Sequence, residues 1–167
     1  MCIRDSNPLV RLAFAWLRDN VPDVDRLSVV HCDYRTGNYL FTEDDGQMTA
    51  ILDWEGGHIG DRHEDLAYTL NTLFGSADED GRFLTQSLLP EDEFIAAYEA
   101  ASGLPVVPER LRFWQVYTGV KTLAITPGTA YRISSGKQTH QDVLVAWLCG
   151  VEGALAGSLR AMLTEVL

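Results

Sequence analysis

The sequence predicts an α+β fold that is mostly helical, with a small β-hairpin region set among five or six helices. Two observations carry this prediction. Apolar residues recur at helical spacing over most of the 167-residue chain, and one turn-rich segment separates two strand-like stretches. Strands and helices do not alternate along the chain, which disfavours a doubly wound parallel sheet. At about 150 residues per domain, the length predicts one domain.

In the first third of the chain, the sequence pattern predicts one helix followed by short strands. Apolar residues at helical spacing predict a helix over 7–20. The segment LSVV at 27–30 is short and rich in β-branched residues, which is typical of a strand. Two further strand-like stretches, 39–42 and 48–54, flank the turn sequence EDDG at 43–46, and this arrangement predicts a hairpin.

The remainder of the chain predicts helices joined by loops. GGHIG at 56–60 predicts a loop, and Asp61 then suits the N-cap of a helix over 61–74, with Glu64 as its capping-box partner. A polar, acidic loop is expected at 76–82. Three more helices are predicted over 90–101, closed by Gly103, over 109–125, ending before Pro127, and over 139–165.

The charge balance and the hydropathy of the chain argue against two classes of partner, nucleic acid and membranes. The chain has 13 basic and 24 acidic side chains and a formal net charge of −11. Affinity for nucleic acid comes largely from Lys and Arg that neutralise phosphates, so nucleic acid is a poor partner. Because no apolar run approaches the about 20 residues that a membrane-spanning helix needs, no membrane partner is expected either.

The cysteines indicate a reducing compartment. Cys2, Cys32 and Cys149 are far apart and lack CxxC spacing, which argues against a disulfide framework and against a structural zinc site. With no signal-like segment at the start, we expect a cytoplasmic protein. Residues 1–6, MCIRDS, fit no predicted element, and we expect them to be a non-native start joined to an incomplete gene.

The segment HCDYRTGN at 31–38 carries the most chemical information. It follows a predicted strand, and Asp53 in LDWE comes fifteen residues after Asn38. Asp33, Asn38 and Asp53 therefore offer carboxylate and amide oxygens from loops at one hairpin. Such oxygens suit Mg²⁺, which usually takes one or two carboxylates and leaves room for substrate phosphates.

The wider pattern, HCDYRTGNYLF followed by AILDWEGGHIGDRHEDLAY, resembles the aminoglycoside phosphotransferase and small-molecule kinase family. The resemblance is to the branch with LDWE where protein kinases have DFG. It is strong from about 29 to 70 and weak through 93–105 and beyond. A lone HxD is a weak signal, whereas the joint spacing with the hairpin, DWE and GDxxxDLA is specific. The resemblance implies a protein-kinase-like fold, with 7–167 forming its C-terminal catalytic lobe.

The resemblance also implies an activity. Family members transfer the γ-phosphate of ATP, with Mg²⁺, to a hydroxyl of a small molecule. Carried over by position, Asp33 orients and deprotonates the acceptor hydroxyl, Asn38 binds Mg²⁺, and Asp53 bridges the metal to the nucleotide phosphates. Phosphoryl transfer depends mainly on positioning and on neutralising charge, which is what these residue types supply.

Three neighbouring residues have expected roles at this site. Arg35 either contacts the terminal phosphate or forms an ion pair with an acid such as Glu55 or Asp61. His31 is expected to hold the loop by hydrogen bonds. Asp65 lies beside apolar residues in a predicted helix, and the resemblance implies that it accepts backbone N–H bonds from the catalytic loop.

Other chemistry-bearing residues are expected to be structural. Asp61 is interpreted as an N-cap alone. His58, His63 and His140 are expected at the surface or in loops. Core packing is expected of four aromatic residues on helical faces, which are Trp114, Tyr117, Tyr131 and Trp147.

A kinase of this family also needs an N-terminal lobe with a phosphate-covering loop and a strand lysine paired to a helix glutamate. About thirty residues precede His31, and the two lysines, Lys121 and Lys137, lie far downstream. The missing N-terminal lobe is therefore the expected packing partner of this chain. Without it, we expect uncovered apolar surface near the hairpin and no turnover.

Two other functions stay open at this point. One is a catalytically silent binding module of the same fold. The other is a metal-dependent hydrolase with mixed ligands, namely His31, Asp33, Asp53, His58 and His63. The acceptor of a kinase also stays open, because a net charge of −11 is compatible with a cationic substrate such as an aminoglycoside and equally with simple solvation.

Overall fold

The computed structural model describes residues 7–135 and 148–167. The predictions for 1–6, for the start of the last helix at 139, and for Lys137, His140 and Trp147 lie outside the described residues. In chain order the elements are α1 (Pro8–Asp19), β1 (Leu27–Val30), β2 (Tyr39–Phe41), β3 (Met48–Ile51), β4 (His58–Asp61), α2 (His63–Thr69), β5 (Ser76–Ala77), β6 (Phe83–Leu84), α3 (Glu91–Ser102), α4 (Pro108–Ser135) and α5 (Leu148–Thr164). Long helices and two-stranded antiparallel sheets make this an α+β fold, as predicted.

The chain divides into two compact units. One unit is formed by Met1–Val21 with Val116–Leu167, and the other by Pro22–Gln115. The second unit holds the whole HCDYRTGN motif and Asp53. Among the described residues, no helix is long and apolar enough to cross a membrane.

The first unit is built from α1, the later part of α4, and α5. The side chain of Asn7 caps α1 by accepting hydrogen bonds from the backbone N–H groups of Leu9 and Val10, at 3.0 and 3.4 Å. Leucines 155, 159 and 163 of α5 recur every four residues and are all buried. A Cβ at Gly119 would lie 3.2 Å from Leu159, so a glycine there lets α4 and α5 approach closely.

Helix α4 is longer than the sequence predicts. It was expected to end before Pro127, yet it continues to Ser135. A proline within a helix removes one backbone hydrogen bond and costs about 3 kcal/mol. Burial of Val116, Val120 and Leu123 on one side of α4 offsets that cost.

The second unit contains two antiparallel strand pairs that frame the motif. β2 pairs with β3 as the predicted hairpin, with Tyr39 opposite Ile51. β1 pairs with β4, with Val30 opposite His58. The prediction of a loop at 56–60 is therefore wrong. Glycines interrupt this segment and hide its strand pattern, and its partner strand lies about thirty residues away in sequence.

Helix α2 is shorter than predicted and starts differently. It covers His63–Thr69, and a separate 3₁₀ turn follows at Thr72–Phe74. Glu64 is not a capping-box partner, because its carboxylate faces Cys32 and His58 instead. The acidic segment 76–82 is not wholly loop either, since β5 and β6 pair across it.

The core of the second unit fixes α2 in place. Leu66, Ala67 and Leu70 of α2 pack with Leu111 of α4, and the surrounding contacts come from Phe94, Ile95, Tyr98, Val106 and Trp114. Gly103 ends α3 with φ +68°, as predicted. Core packing was wrongly expected of Tyr131, whose surface is 72% exposed, and of Tyr117, which is 38% exposed.

Candidate active site

The loop that follows β1 is held by its first residue. The His31 side chain is buried, and its Nε2 lies 2.7 Å from the Leu52 carbonyl oxygen, to which it donates. Its Nδ1 accepts the backbone N–H of Asp33 at 3.2 Å. Both ring nitrogens are therefore engaged in bonds that join the loop to the end of β3.

Helix α2 supports the same loop from the other side. The Asp65 carboxylate accepts the backbone N–H of His31 at 2.7 Å and that of Cys32 at 2.8 Å. Hydrogen bonds to a carboxylate are stronger than neutral ones, and they leave neither N–H unpaired. The backbone N–H groups of His31 and Cys32 are thereby both fixed to α2.

Two residues that sequence reasoning missed lie on the same face of α2. Tyr68 and Thr69 follow Asp65 by three and four positions, so they share its face. The Thr69 hydroxyl donates to the Tyr34 carbonyl oxygen at 3.0 Å. Burial and a hydrogen bond to the Asp33 carboxylate raise the pKa of Tyr68, which keeps its phenol protonated and donating. The helical spacing in EDLAYT was the signal that could have found both.

The Asp33 carboxylate is surrounded by donors. Its Oδ1 accepts Arg35 Nε at 3.1 Å, and its Oδ2 accepts Asn38 Nδ2 at 2.7 Å. Asn38 Nδ2 also donates to the Asp33 carbonyl oxygen at 2.8 Å. The Asp33 side chain is 31% exposed, so its carboxylate is accessible from solvent. Asp33 is thus an oriented, solvent-accessible acceptor of protons and hydrogen bonds.

Arg35 forms an ion pair, but with a different acid from those expected. Its partner is Asp33, whereas Glu55 and Asp61 were anticipated. The guanidinium also lies 5.8 Å from the centre of the Phe74 ring, in a cation–π arrangement. Arg35 therefore lies beside Asp33 with 36% of its side chain exposed.

Asn38 and Asp53 lie at the open end of the hairpin. The Leu52 N–H donates to the Asn38 carbonyl oxygen at 2.7 Å, so Asp53 comes one residue after a direct backbone partner of Asn38. Asp53 is exposed and has φ +66°, a left-handed conformation that is uncommon outside glycine. Its side chain caps none of the N–H groups of the 3₁₀ turn that follows, Trp54–Gly56. A capping role does not account for this aspartate.

The donor set at the hairpin fits Mg²⁺. The amide nitrogen of Asn38 points to Asp33, which leaves the amide oxygen as the donor atom on its other side. Asp53 adds a carboxylate one residue after Leu52, the backbone partner of Asn38. One carboxylate and one amide oxygen, completed by phosphates and water, are a common ligand set for this ion.

Gln86 is a further residue that the sequence did not reveal. Its side-chain oxygen accepts the Thr36 N–H at 3.0 Å, and its Nε2 donates to the Thr69 carbonyl oxygen at 2.8 Å. Gln86 is buried and therefore bridges the loop to α2. It lies about fifty residues after the motif in a segment without periodicity, so no sequence signal marks it.

Asp61 and His63 form a buried pair next to the start of α2. The Asp61 Oδ1 atom lies 2.7 Å from His63 Nδ1, and its Oδ2 accepts Trp114 Nε1 at 3.0 Å. Burial acts to raise the pKa of Asp61, but the bonds from His63 and Trp114 outweigh it and lower the pKa to about 2. His63 Nε2 accepts the Val107 N–H at 3.0 Å. The expectations of a surface histidine and of a simple N-cap were therefore wrong.

A cavity of about 480 Å³ lies beside α2. It is lined by Ser28, Val29, Tyr34, Arg62, Asp65, Leu66, Thr69, Phe94, Ala97 and Tyr98. Asp33, Asn38 and Asp53 do not contribute to its lining.

Two solved structures share this fold. A Ralstonia eutropha protein described as an aminoglycoside phosphotransferase has a TM-score of 0.73 at 21% identity, covering 96% of this chain and 50% of its own. A thermostable mutant of aminoglycoside phosphotransferase APH(4)-Ia has a TM-score of 0.54 at 18% identity, covering 94% and 42%. The chain spans about half the length of each structure.

The curated relatives are much longer proteins. Acyl-CoA dehydrogenase family member 10 of Mus musculus is 26% identical over 163 residues, which is 85% of this chain and 15% of that protein. Acyl-CoA dehydrogenase family member 11 of Homo sapiens is 26% identical over 141 residues, which is 81% of this chain and 18% of that protein. The chain spans less than a fifth of either one.

A family model settles the relationship. The model described as the phosphotransferase enzyme family matches residues 4–114, which include the loop, the hairpin and α2. This confirms the resemblance seen in HCDYRTGN, LDWE and GDRHEDLA. The chain belongs to the phosphotransferase enzyme family.

Proposed function

We propose that this chain is the C-terminal catalytic lobe of a small-molecule kinase, which transfers the γ-phosphate of ATP to a hydroxyl group with Mg²⁺. The observation that carries the proposal is the hydrogen-bonded group of Asp33, Arg35 and Asn38 beside the open end of the hairpin. Asp53 lies one residue beyond Leu52, the backbone partner of Asn38. We place the activity in the cytoplasm, where ATP and Mg²⁺ are both available.

Asp33 orients the acceptor hydroxyl and takes its proton. Arg35 and Asn38 hold the carboxylate in one orientation, and Tyr68 donates to it from α2. A carboxylate of ordinary pKa, about 4, is a weak base, but a loose transition state releases the proton late and needs positioning most. Arg35 also lies where its positive charge can act on a phosphate that reaches Asp33.

Asn38 and Asp53 are the residues that would hold Mg²⁺. When bound, the ion neutralises charge on the phosphate oxygens during transfer. Asn38 is buried and anchored by Asp33, whereas Asp53 is exposed. Asn38 would therefore give a buried, fixed ligand, and Asp53 would give a ligand that is accessible from solvent.

The hydrolase alternative is disfavoured at two of its three histidines, His31 and His63. His31 uses both ring nitrogens in bonds to the loop and to Leu52. His63 uses both in bonds to Asp61 and Val107. Neither ring can bind a metal without breaking buried hydrogen bonds. The silent-module alternative is disfavoured because Asp33, Asn38 and Asp53 retain the residue types that the chemistry needs.

The nucleotide side of the site is proposed to come from an N-terminal lobe that packs on the hairpin. Kinases of this fold hold ATP between two lobes, and this sequence contains neither a phosphate-covering loop nor a strand lysine near the motif. Five apolar residues at the hairpin are each 42% to 61% exposed, namely Leu40, Phe41, Met48, Leu52 and Trp54. Apolar patches of this kind mark packing surfaces.

The proposal is tested by nucleotide binding. Titration calorimetry of the purified chain with ADP, with and without Mg²⁺, should show weak binding that depends on the ion. Asp53→Ala should remove the Mg²⁺ dependence, while Asp44→Ala, an acidic residue at the hairpin turn, should leave it unchanged. Unaltered Mg²⁺-dependent binding in Asp53→Ala and in Asn38→Ala would overturn the assignment.

A second experiment separates the roles in a protein that also carries the N-terminal lobe. Asp33→Ala should lower kcat far more than it changes the affinity for ATP, because Asp33 acts on the acceptor. Asp53→Ala should lower both. Equal losses of ATP affinity in the two variants would show that the roles are wrongly divided.

A further inference from the structure

A group of three side chains beside the loop plays no part in the proposed transfer. Cys32 lies between His31 and Asp33, His58 begins β4, and Glu64 lies in the first turn of α2. One ligand atom from each of the three lies within 4.8 Å of the others. We propose that Cys32, His58 and Glu64 form a binding site for a zinc-class divalent transition-metal ion.

The distances within the group already approach those of a metal site. Cys32 Sγ lies 3.3 Å from His58 Nδ1 and 3.3 Å from Glu64 Oε1. His58 Nε2 lies 3.3 Å from Glu64 Oε2. Atoms bound to one tetrahedral Zn²⁺ at about 2.0–2.3 Å lie roughly 3.3–3.6 Å from one another. These contacts use both nitrogens of His58 and both oxygens of Glu64, whereas one ion would bind a single atom of each. One ligand atom from each of the three residues lies within 4.8 Å of the others, so rotation of the side chains would bring them onto one ion.

The donor types select the ion. Thiolate, imidazole and carboxylate are the three side-chain ligands of zinc, and the sulfur disfavours Mg²⁺ and Ca²⁺, which prefer oxygen. This group is thus chemically distinct from the oxygen donors Asn38 and Asp53. Three protein ligands leave a fourth position for water, as in open zinc sites.

Burial explains why an ion would be held there. Cys32 and Glu64 are 7% and 4% exposed, whereas the His58 side chain is 46% exposed and gives a route of entry. The described partners of the Glu64 carboxylate are the Cys32 thiol, a weak donor, and the His58 ring. A buried carboxylate needs a countercharge, and a divalent ion supplies it.

An ion at this site would act on the loop. Cys32 lies between His31 and the proposed catalytic Asp33. The backbone N–H of His31 donates to the Asp65 carboxylate. A bond from Cys32 to an ion shared with His58 and Glu64 ties this peptide to β4 and to α2. The ion would therefore hold the loop while water fills its fourth position, and the site does not depend on the kinase proposal.

The test is a titration of Co²⁺ into the purified, reduced chain, followed by Zn²⁺. A thiolate-bound Co²⁺ ion gives a charge-transfer absorption together with visible bands typical of tetrahedral geometry. The chain should show both, and Zn²⁺ should abolish both because it binds such sites more tightly than Co²⁺. Excess Mg²⁺ should leave them unchanged.

Variants decide between this site and incidental binding. Cys32→Ser should lose the charge-transfer band, and Glu64→Gln should keep a folded chain but weaken Zn²⁺ binding by more than the about 10- to 100-fold typical of losing an outer-shell partner. Cys149→Ser and Asp53→Ala should both retain the band. No saturable Co²⁺ binding, a band that persists in Cys32→Ser, or a band lost in Cys149→Ser would overturn the proposal.

Discussion

The loop at 31–38 and the hairpin at 39–54 meet at Asn38, yet they are held very differently. The loop, which we call the clamped loop, forms hydrogen bonds with the side chains of Asp65, Thr69 and Gln86 on one side. The hairpin, here the open hairpin, exposes apolar side chains and the carboxylate of Asp53. The loop is thus held by this chain's own side chains, whereas the hairpin leaves apolar surface that the proposed N-terminal lobe would cover.

The largest expected effect comes from removing the Asp65 carboxylate, which holds the clamped loop to α2. Asp65→Ala leaves the N–H groups of His31 and Cys32 without their acceptor, and each unpaired buried group costs about 1–3 kcal/mol. We expect the free energy of unfolding, measured in urea, to fall by about 3 kcal/mol. Asp92→Ala, whose side chain is 77% exposed, is the control and should change little. If Asp65→Ala lowers the free energy of unfolding no more than Asp92→Ala does, the Asp65 carboxylate does not hold the loop.

The next effect is a pH dependence of the same supporting region. The pKa of Asp61 is lowered from 3.8 to about 2 by its hydrogen bonds. Its contribution to stability is therefore fully present above pH about 4, and it is lost as the pH falls through about 2. Between pH 6 and pH 2, wild type should lose about 2 kcal/mol more than Asp61→Asn, as measured by urea unfolding. Parallel losses in the two proteins would contradict the lowered pKa.

A smaller effect links α2 to the reactive carboxylate. Tyr68→Phe removes one hydrogen bond to Asp33 and should cost about 1 kcal/mol of unfolding free energy. In an Asp33→Ala background the same substitution should cost almost nothing, and this double-mutant cycle isolates the pair. An equal cost in both backgrounds would show that Tyr68 acts through packing alone.

The smallest effect is expected in the open hairpin. Phe41 is 61% exposed, so Phe41→Ser should change the unfolding free energy of this chain by less than about 0.5 kcal/mol. The same change should reduce self-association, measured by sedimentation velocity, because it removes apolar surface. A large loss of stability would mean that the hairpin is already packed.

The contrast between the two regions also marks what the sequence could predict. The strand 27–30, the hairpin and the helix ended by Gly103 follow from local patterns, and the structure confirms them. The pairing of β4 with β1 was missed because it depends on a partner distant in sequence. The end of α4 was missed because tertiary burial outweighs the local cost of Pro127.

The candidate site shows the same division. Asp33, Asn38 and Asp53 were proposed from their spacing and from the family resemblance, because they lie close together in the sequence, and their roles stay predictions. The role of Gln86 depends on a contact across about fifty residues, which no local pattern encodes. The partner of Arg35 is only two residues away, but the side-chain conformation that pairs it with Asp33 cannot be read from the sequence. His63 was misplaced because a polar residue in a short helix gives no sign of complete burial.

The most direct test of the account is whether the purified chain turns over ATP. The chain should be incubated with ATP, Mg²⁺ and a panel of hydroxylated acceptors, and ADP release should be followed while the nucleotide concentration is raised. We predict weak, Mg²⁺-dependent nucleotide binding without acceptor-dependent ADP release, because the open hairpin lacks its covering lobe. Sustained, acceptor-dependent ADP production that disappears in Asp33→Ala would contradict the claim that the nucleotide side lies outside this chain.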